Sequence, residues 1–311
     1  MTVLVTGANG FVGRWVIRAL LAAGHTVIAA AGPDAASAAA PEKNVRWIAL
    51  DLLDDASVAG AVQAKVDAVI HLAALATNAG AFANPGLAWT LNAGGTARLL
   101  HALGERRRRG ETDPLVLLVS SAEVYGPSQR PLKETDPLAP RSPYAASKIG
   151  AELAAQETSA RTGLRVVTAR PFPHTGPGQD ERFAIPSFAR RLANAKKTGT
   201  RVVTVGNLDV TRDLLDVRDV AAAYVALLAK GAPGEAYNVA SGTGYPLRSL
   251  FDRLAGIIGV DAIPEADSAF LRAVDLPCLV GDAAKLRAAT GWSPAMPLEQ
   301  TLKDLVDAQA H

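Results

Sequence analysis

The chain reads as an α/β protein built on a doubly wound parallel sheet, with a smaller, discontinuous α/β lobe attached. Three observations carry this reading. Short β-branched runs alternate with helical stretches through the first two-thirds of the 311 residues. Several of those runs are apolar nearly throughout, as strands covered on both faces must be. A glycine turn stands between the first run and the first helix. Sheets of this kind receive ligands at the carboxyl ends of their strands.

Taken in order, strands are expected at residues 2–6, 26–30, 46–49, 68–72, 115–120 and 165–169, and helices at 12–23, 56–63, 87–103 and 144–162. After Arg170 the pattern loosens. Proline and glycine cluster from Pro171 to Gly178, which marks a loop and the first crossing into the smaller lobe. Beyond it the pattern gives a helix near 186–196, a strand at 201–205, a helix near 217–228, a strand at 236–239 and helices near 247–258 and 298–308. The expected division is a nucleotide-binding unit over 1–169, with 209–232 packing back onto it, and a substrate-binding lobe from 170–208 and 233–311. The alanine-rich stretch 35–40 is a loop or helical turn of low information.

A net charge of +2 with 20% charged residues, evenly spread, argues against a nucleic-acid partner. The one basic run, residues 106–109, follows an apolar helical stretch and reads as a solvated helix end that complements the macrodipole; a phosphate site is the alternative. Cys278 is the only cysteine and lies in an apolar setting, so it reads as a packed thiol. The first residues enter a strand at once, and no apolar stretch is long enough to span a bilayer. A cytoplasmic protein without membrane or metal partners is therefore expected.

Residues 3–13, Val-Leu-Val-Thr-Gly-Ala-Asn-Gly-Phe-Val-Gly, form a strand, a glycine turn and a helix start. Gly7 permits the tight turn, Gly10 lets the backbone approach a pyrophosphate, and Gly13 lets the helix pack close to the sheet. The helix N-terminus offers free N–H groups to phosphates. This is the fingerprint of a Rossmann dinucleotide site. A carboxylate at the end of the second strand would select NAD, and an arginine NADP. The position holds Ala31, with Asp34 after it either reaching the ribose or capping its turn, so NAD(P) is left open. Asp51, with Leu52, follows the third strand; it either meets the adenine amino group or caps the next helix. Leu72, Ala73 and Ala74 end the fourth strand with a small surface suited to close approach.

Tyr144 and Lys148 stand one helical turn apart on one face. An ammonium beside a phenol draws its pKa down from about 10, which makes Tyr144 a usable proton donor or acceptor. Ser120 and Ser121 end the fifth strand facing the same crevice, and Ser121 is the choice to bond the reacting oxygen. Glu123 is a further acid/base, a ligand for a substrate hydroxyl, or a solvated loop residue.

These residues together resemble the extended short-chain dehydrogenase/reductase superfamily of nucleotide-sugar epimerases, dehydratases and reductases. The likeness covers nearly the whole chain, through His71-Leu-Ala-Ala, Asn92-Ala-Gly-Gly-Thr96, Ser120-Ser121, Tyr125-Gly126, Tyr144 with Lys148, Arg170-Pro-Phe, and Arg212-Asp213. It implies Ser121, Tyr144 and Lys148 as the catalytic set, with Glu123 beside them. It implies cofactor contacts from Gly7, Asn9, Gly10, Phe11, Val12, Asp51, Leu52, Leu72, Ala73, Ala74, Asn92, Ser120, Tyr144, Lys148 and Pro171, with Asn92 also supporting the catalytic helix. Arg212 and Arg272 would hold a diphosphate, and Ser121, Glu123, Tyr144 and His174 the sugar side of a nucleotide-diphosphate sugar.

The segments His174-Thr-Gly-Pro-Gly-Gln179, Gly206-Asn-Leu-Asp209 and Leu279-Val-Gly-Asp282 resemble the GDP-6-deoxy-4-keto-mannose reductase family within it. That likeness implies hydride transfer from NAD(P)H to a sugar C4 carbonyl. The alternatives are a 4-epimerase with the same residues, a 4,6-dehydratase using Glu123, and a non-catalytic dinucleotide sensor. Pro173 stands where the family has Asn, and Ala273-Val274 where it has Pro-Ser; both departures fall on the substrate side. The resemblance also implies a homodimer through helices 87–103 and 144–162; the alternative is that their apolar positions only pack on their own sheet.

Overall fold

The computed structural model describes residues 1–37, 43–270 and 275–309. The first half runs β1 (Thr2–Thr6), α1 (Phe11–Ala22), β2 (Thr26–Ala31), α2 (Pro33–Ser37), β3 (Val45–Ala49), α3 (Asp55–Ala61), β4 (Ala68–His71), α4 (Asn78–Ala83) and α5 (Pro85–Ala88). A π-helical turn (Trp89–Gly95) leads into α6 (Thr96–Arg108), then β5 (Leu115–Val119), a 3-10 turn (Ala122–Tyr125), α7 (Pro143–Thr162) and β6 (Arg165–Pro171). The remainder is β7 (His174–Thr175), α8 (Ala184–Thr198), β8 (Val202–Val205), β9 (Thr211–Asp213), β10 (Leu215–Asp216), α9 (Val217–Lys230), β11 (Ala236–Val239) and β12 (Gly244–Pro246). It ends with α10 (Leu247–Ile258), β13 (Ile263–Ala266), β14 (Cys278–Leu279), α11 (Ala284–Thr290) and α12 (Leu298–Gln309).

Seven strands form one parallel sheet in the order β3-β2-β1-β4-β5-β6-β11. Successive residues feed opposite faces, the period-2 rule of a strand. Val3 and Val5 join Val27, Ile70, Leu117 and Val167 in one core, which α1 and α9 cover. Leu4 joins Ile28, Val69, Leu118 and Val166 in the other, which α3, α6 and α7 cover. Chain direction across the sheet reverses between β1 and β4, and that switch point opens a crevice at the carboxyl ends.

The second lobe has its own core, where Phe188, Leu192, Val203, Phe251, Leu254 and Leu302 from α8, β8, α10 and α12 meet. Phe188 and Phe251 pack edge to face with centroids 5.7 Å apart.

Two expectations need correction. Residues from 233 onward do not all leave the first unit, because β11 extends the central sheet beside β6. The expected helix 87–103 is three pieces: Pro85 opens α5, Asn84 Oδ1 caps it by accepting from Leu87 N at 2.9 Å, and the π-turn follows. The short strands β7, β9, β10, β12 and β14 were not legible, since two or three residues carry no period. Of the alanine-rich stretch, α2 reaches Ser37 and the rest lies outside the described residues.

The arginines at 106–109 are taken by the protein's own groups. Arg106 bonds Glu111 and the Val62 carbonyl, Arg107 bonds Asp113 and the Thr162 carbonyl, Arg108 bonds Glu105, and Arg109 bonds Glu111. Arg106 and Arg107 thereby tie the end of α6 to the ends of α3 and α7. Cys278 is a free, half-buried thiol. Among the described residues, no helix is long and apolar enough to cross a membrane.

One buried ion pair ties α7 to β6. Arg170 Nη2 and Nε donate to the two oxygens of Glu152 at 2.7 and 3.1 Å, with both side chains almost wholly buried. Its Nη1 donates to the Tyr125 hydroxyl at 2.8 Å, and that hydroxyl donates to Asn238 Oδ1 at 2.7 Å. Truncating one partner leaves a bare charge in the core. Arg170→Ala should therefore cost about 3–5 kcal/mol in urea unfolding, whereas Arg170→Met with Glu152→Leu should cost less than the single change.

Candidate active site

The glycine turn has the shape its sequence implies. Gly7 adopts φ +67°, and a Cβ there would lie 2.9 Å from the Ala73 nitrogen, so β1 and β4 exit almost in contact. A Cβ on Gly13 would come 2.4 Å from the Gly7 carbonyl, which seats α1 against the sheet. Gly10 precedes α1 with no side chain capping the helix, so its first N–H groups stay open. Asn9 is exposed, while Phe11 and Val12 are half-buried. Phe11 stacks on His174 at 6.3 Å, and Trp15 Nε1 donates to the Pro177 carbonyl at 3.2 Å. The dinucleotide loop thus touches the segment that starts the second lobe.

A one-way chain of hydrogen bonds fixes this corner. Ala73 N donates to Thr6 Oγ1 at 3.2 Å, and the Thr6 hydroxyl lies 2.7 Å from His71 Nδ1. His71 Nε2 lies 3.0 Å from Thr96 Oγ1, whose proton goes to the Asn92 carbonyl at 2.5 Å. That order makes His71 a neutral imidazole protonated on Nε2. Burial, then the charge of Lys148, push its pKa down to about 3. Asn92, inside the π-turn, carries the chain onward. Its Oδ1 accepts from Leu75 N at 2.7 Å, and its Nδ2 donates to Ser147 Oγ at 2.9 Å on α7.

Around the cleft, Leu72 and Ala74 are half-buried at the β4 exit. Asp51 accepts from Leu53 N at 2.8 Å within its own turn, whereas Asp54 caps α3 through Ala56 N; the capping alternative for Asp51 is thus excluded. Leu52 sits in the core beneath Gly95. Pro171 ends β6, buried. Ser120 is buried, and its Oγ has no partner among the described residues.

Ser121, Glu123, Tyr144 and Lys148 do come together at the ends of β5 and the start of α7. Ser142 caps α7 by accepting from Ala145 N at 3.1 Å, and Pro143 fixes its first turn. The Ser121 hydroxyl lies near the Tyr144 phenol, and its Oγ accepts from Glu123 N at 3.2 Å. Lys148 Nζ donates to the Val119 carbonyl at 2.7 Å. Burial lowers the Lys148 pKa to about 8, against the opposing pull of Glu152 one turn on.

The ionisation of Tyr144 differs from the sequence expectation. Burial first, and the neighbouring Glu123 charge second, hold the phenol well above its ordinary value, outweighing the opposing pull of the nearby Ser121 hydroxyl. The Lys148 ammonium is engaged by Val119 instead of lowering it. Tyr144 is a protonated donor here.

On the far side, His174 Nδ1 lies 2.9 Å from the Phe172 carbonyl and burial lowers its pKa, so Nδ1 carries the proton. Arg212 Nη2 pairs with Asp275 at 2.6 Å, and its Nη1 donates to the Leu276 carbonyl at 2.6 Å. Arg272, Ala273 and Val274 lie outside the described residues. Pro173 still bonds through its carbonyl, which accepts from Leu215 N at 2.9 Å. Two polar residues in this region escaped sequence reasoning. Asn78 donates to both Glu123 oxygens, and Tyr224 is a buried phenol close enough for Tyr144 to perturb it.

The Lys148 environment has a measurable sign. Its folded pKa, about 8, lies below the ordinary 10.5, so the unfolded chain binds the proton more tightly. Stability from this group is then lowest below about pH 8 and rises between about pH 8 and 10.5. The melting temperature of the unmodified chain minus that of Lys148→Met should climb across that window.

Residues 3–240 match the model of the NAD dependent epimerase/dehydratase family. The chain is 37% identical to the GDP-6-deoxy-D-mannose reductase of Pseudomonas aeruginosa, over 97% of this chain and 95% of that protein. The structure of RMD from Pseudomonas aeruginosa complexed with NADPH superposes with a TM-score of 0.84 at 36% identity, covering 99% of this chain and 98% of that one. The UDP-glucose 4-epimerase of Thermus thermophilus, complexed with NAD, gives 0.85 at 28% identity, covering 99% and 98%. With the glycine crevice and the Ser121–Tyr144–Lys148 cluster at adjoining strand ends, this chain belongs to the NAD dependent epimerase/dehydratase family.

Proposed function

We propose that the chain is an NAD(P)H-dependent reductase acting on the C4 keto group of a GDP-4-keto-6-deoxyhexose. The observation that carries the reading is the Tyr144 phenol, kept protonated by burial near Ser121 at the mouth of the glycine crevice. Reduction of a carbonyl needs a proton for the oxygen that becomes an alkoxide. A nicotinamide dinucleotide, when bound, supplies the hydride. The site fits such a group: Gly7 and Gly13 leave no room for side chains, the α1 N-terminus is uncapped, and Ser120 Oγ is buried without a partner. Gly10, Phe11 and Val12 would hold its phosphates, and Lys148 its ribose. The contacts proposed from Asn9, Asp51, Leu52, Leu72, Ala73, Ala74, Asn92 and Pro171 complete that side.

In this reading Ser121 polarises the carbonyl, Tyr144 passes its proton to the developing alkoxide, and Lys148 offers cationic charge to the phenolate left behind. Glu123 and His174 face the sugar. Arg212 takes the diphosphate, which then competes with Asp275 for the guanidinium. Residues 1–169 with 209–232 and β11 act as the dinucleotide unit, and the remainder as the substrate lobe. In this reading the protein works in the cytoplasm.

A homodimer is part of the same reading. Phe82, Leu87, Trp89 and Leu153 stand exposed on α4, α5, the π-turn and α7, elements that pack together. A second copy covering this face would explain them. Sedimentation should give a dimer for the unmodified chain and a monomer for Leu153→Arg; a monomeric unmodified chain rejects this contact.

The direct assay follows nicotinamide absorbance with GDP-4-keto-6-deoxymannose, with NADPH and NADH in parallel. Stoichiometric oxidation of the reduced cofactor is expected, and an epimerase or dehydratase would consume none. Tyr144→Phe should lower kcat by about 10²–10⁴ without loss of fold.

A further inference from the structure

Asn78 opens α4, after the loop that leaves β4; Glu123 lies in the turn that leaves β5. The two strands are neighbours, so their exits meet at one end of the sheet. Asn78 Nδ2 donates to Glu123 Oε1 and Oε2, each at 2.8 Å. Its Oδ1 is buried and has no partner among the described residues. A carboxamide turned over would set acceptor against acceptor, so the carboxylate fixes its orientation. Capping does not account for Asn78, because Thr77 already caps α4 by accepting from Gly80 N at 3.2 Å. From α7 the ionisable group facing Glu123 is Tyr144. Tyr125, on the same turn as Glu123, bonds Asn238 and Arg170 instead.

We propose that Asn78 is a positioning residue: its amide clamps Glu123 in one orientation beside the Tyr144 phenol, and so sets where the sugar hydroxyl next to the reacting carbonyl is held. The role of Glu123 toward the sugar rests on the reductase reading; the clamp itself does not. A carboxylate already accepting two bonds from Asn78 keeps further lone pairs for a substrate hydroxyl, and its charge favours the protonated form of Tyr144.

Asn78→Asp and Asn78→Leu are similar in size to the original and differ in what they offer Glu123. At about pH 8 the introduced carboxylate repels Glu123, the clamp opens, and kcat/KM falls about tenfold or more. On lowering the pH to about 5.5 the pair takes up a proton, an O–H···O bond replaces the amide bond, and the deficit shrinks to about threefold. Asn78→Leu offers no donor, so its deficit stays constant with pH, which packing alone would give both variants. A deficit in Asn78→Asp below about twofold at pH 8, or equal at both pH values, overturns the proposal.

Melting temperature reads the clamp without substrate: the gap between Asn78→Asp and the unmodified chain should narrow from about pH 8 to 5.5, and parallel curves overturn it. Should Asn78→Asp not fold at the higher pH, combining it with Glu123→Gln swaps donor and acceptor. That pair should fold and lose the pH dependence; a double variant as unstable as the single one counts against the clamp. An unmodified chain that oxidises no cofactor rejects the reductase reading, and the melting curves alone then decide the clamp.

Discussion

The molecule is organised around a gap too narrow for a side chain. β1 and β4 leave the sheet so close together that only Gly7, in a left-handed conformation, fits beside Ala73. Everything functional is measured from that point. Thr6 and His71, the last residues of the two strands, bind each other, and their hydrogen bonds run on through Thr96 to Asn92 and then to Ser147. Ser147 lies between Tyr144 and Lys148, so the backbone approach that suits a dinucleotide also locates the acid and the ammonium. His71 has to be neutral for this chain to close, and its burial keeps it so.

α7 is held a second time by Arg170 and Glu152, and Glu152 lies four residues beyond Lys148. That carboxylate partly offsets the burial of the ammonium. A single carboxylate therefore serves both packing and electrostatics. Arg212 shows the same economy on the substrate side. Its neighbour Asp213 points the opposite way on β9, accepting from Ser241, Gly242 and Gly281 nitrogens. Arg212 meets Asp275, and a protein carboxylate thereby occupies a guanidinium suited to an anionic ligand.

Much of this was legible in the chain itself. Five of the six expected strands of the central sheet stand within one residue of their places, and β6 runs two residues further, to Pro171, because buried parallel strands are largely apolar. Gly7, Gly10 and Gly13, and the pairing of Tyr144 with Lys148, could be read because each is a local pattern. What could not be read depends on distant partners. Asn78 means little until Glu123, 45 residues away, is beside it. The protonation of Tyr144 could not be had from spacing alone, since it depends first on burial, then on the Glu123 charge, with Lys148 bonding Val119. Asp51 and Asp54 were equivalent as letters; only the path of the turn separates them.

The π-helical turn at Trp89–Gly95 has its own bearing on what the chain can tolerate. Before it and at its first residue the stretch shows Leu87 and Trp89 to the outside; downstream it sends Leu99, Leu100 and Leu103 into the core. A helix advances about 100° per residue, so dropping one residue from this turn would swing one side through that angle relative to the other. Asn92 would lose Leu75 and Ser147 at a stroke. Along this segment the number of residues is a tighter constraint than their chemical nature.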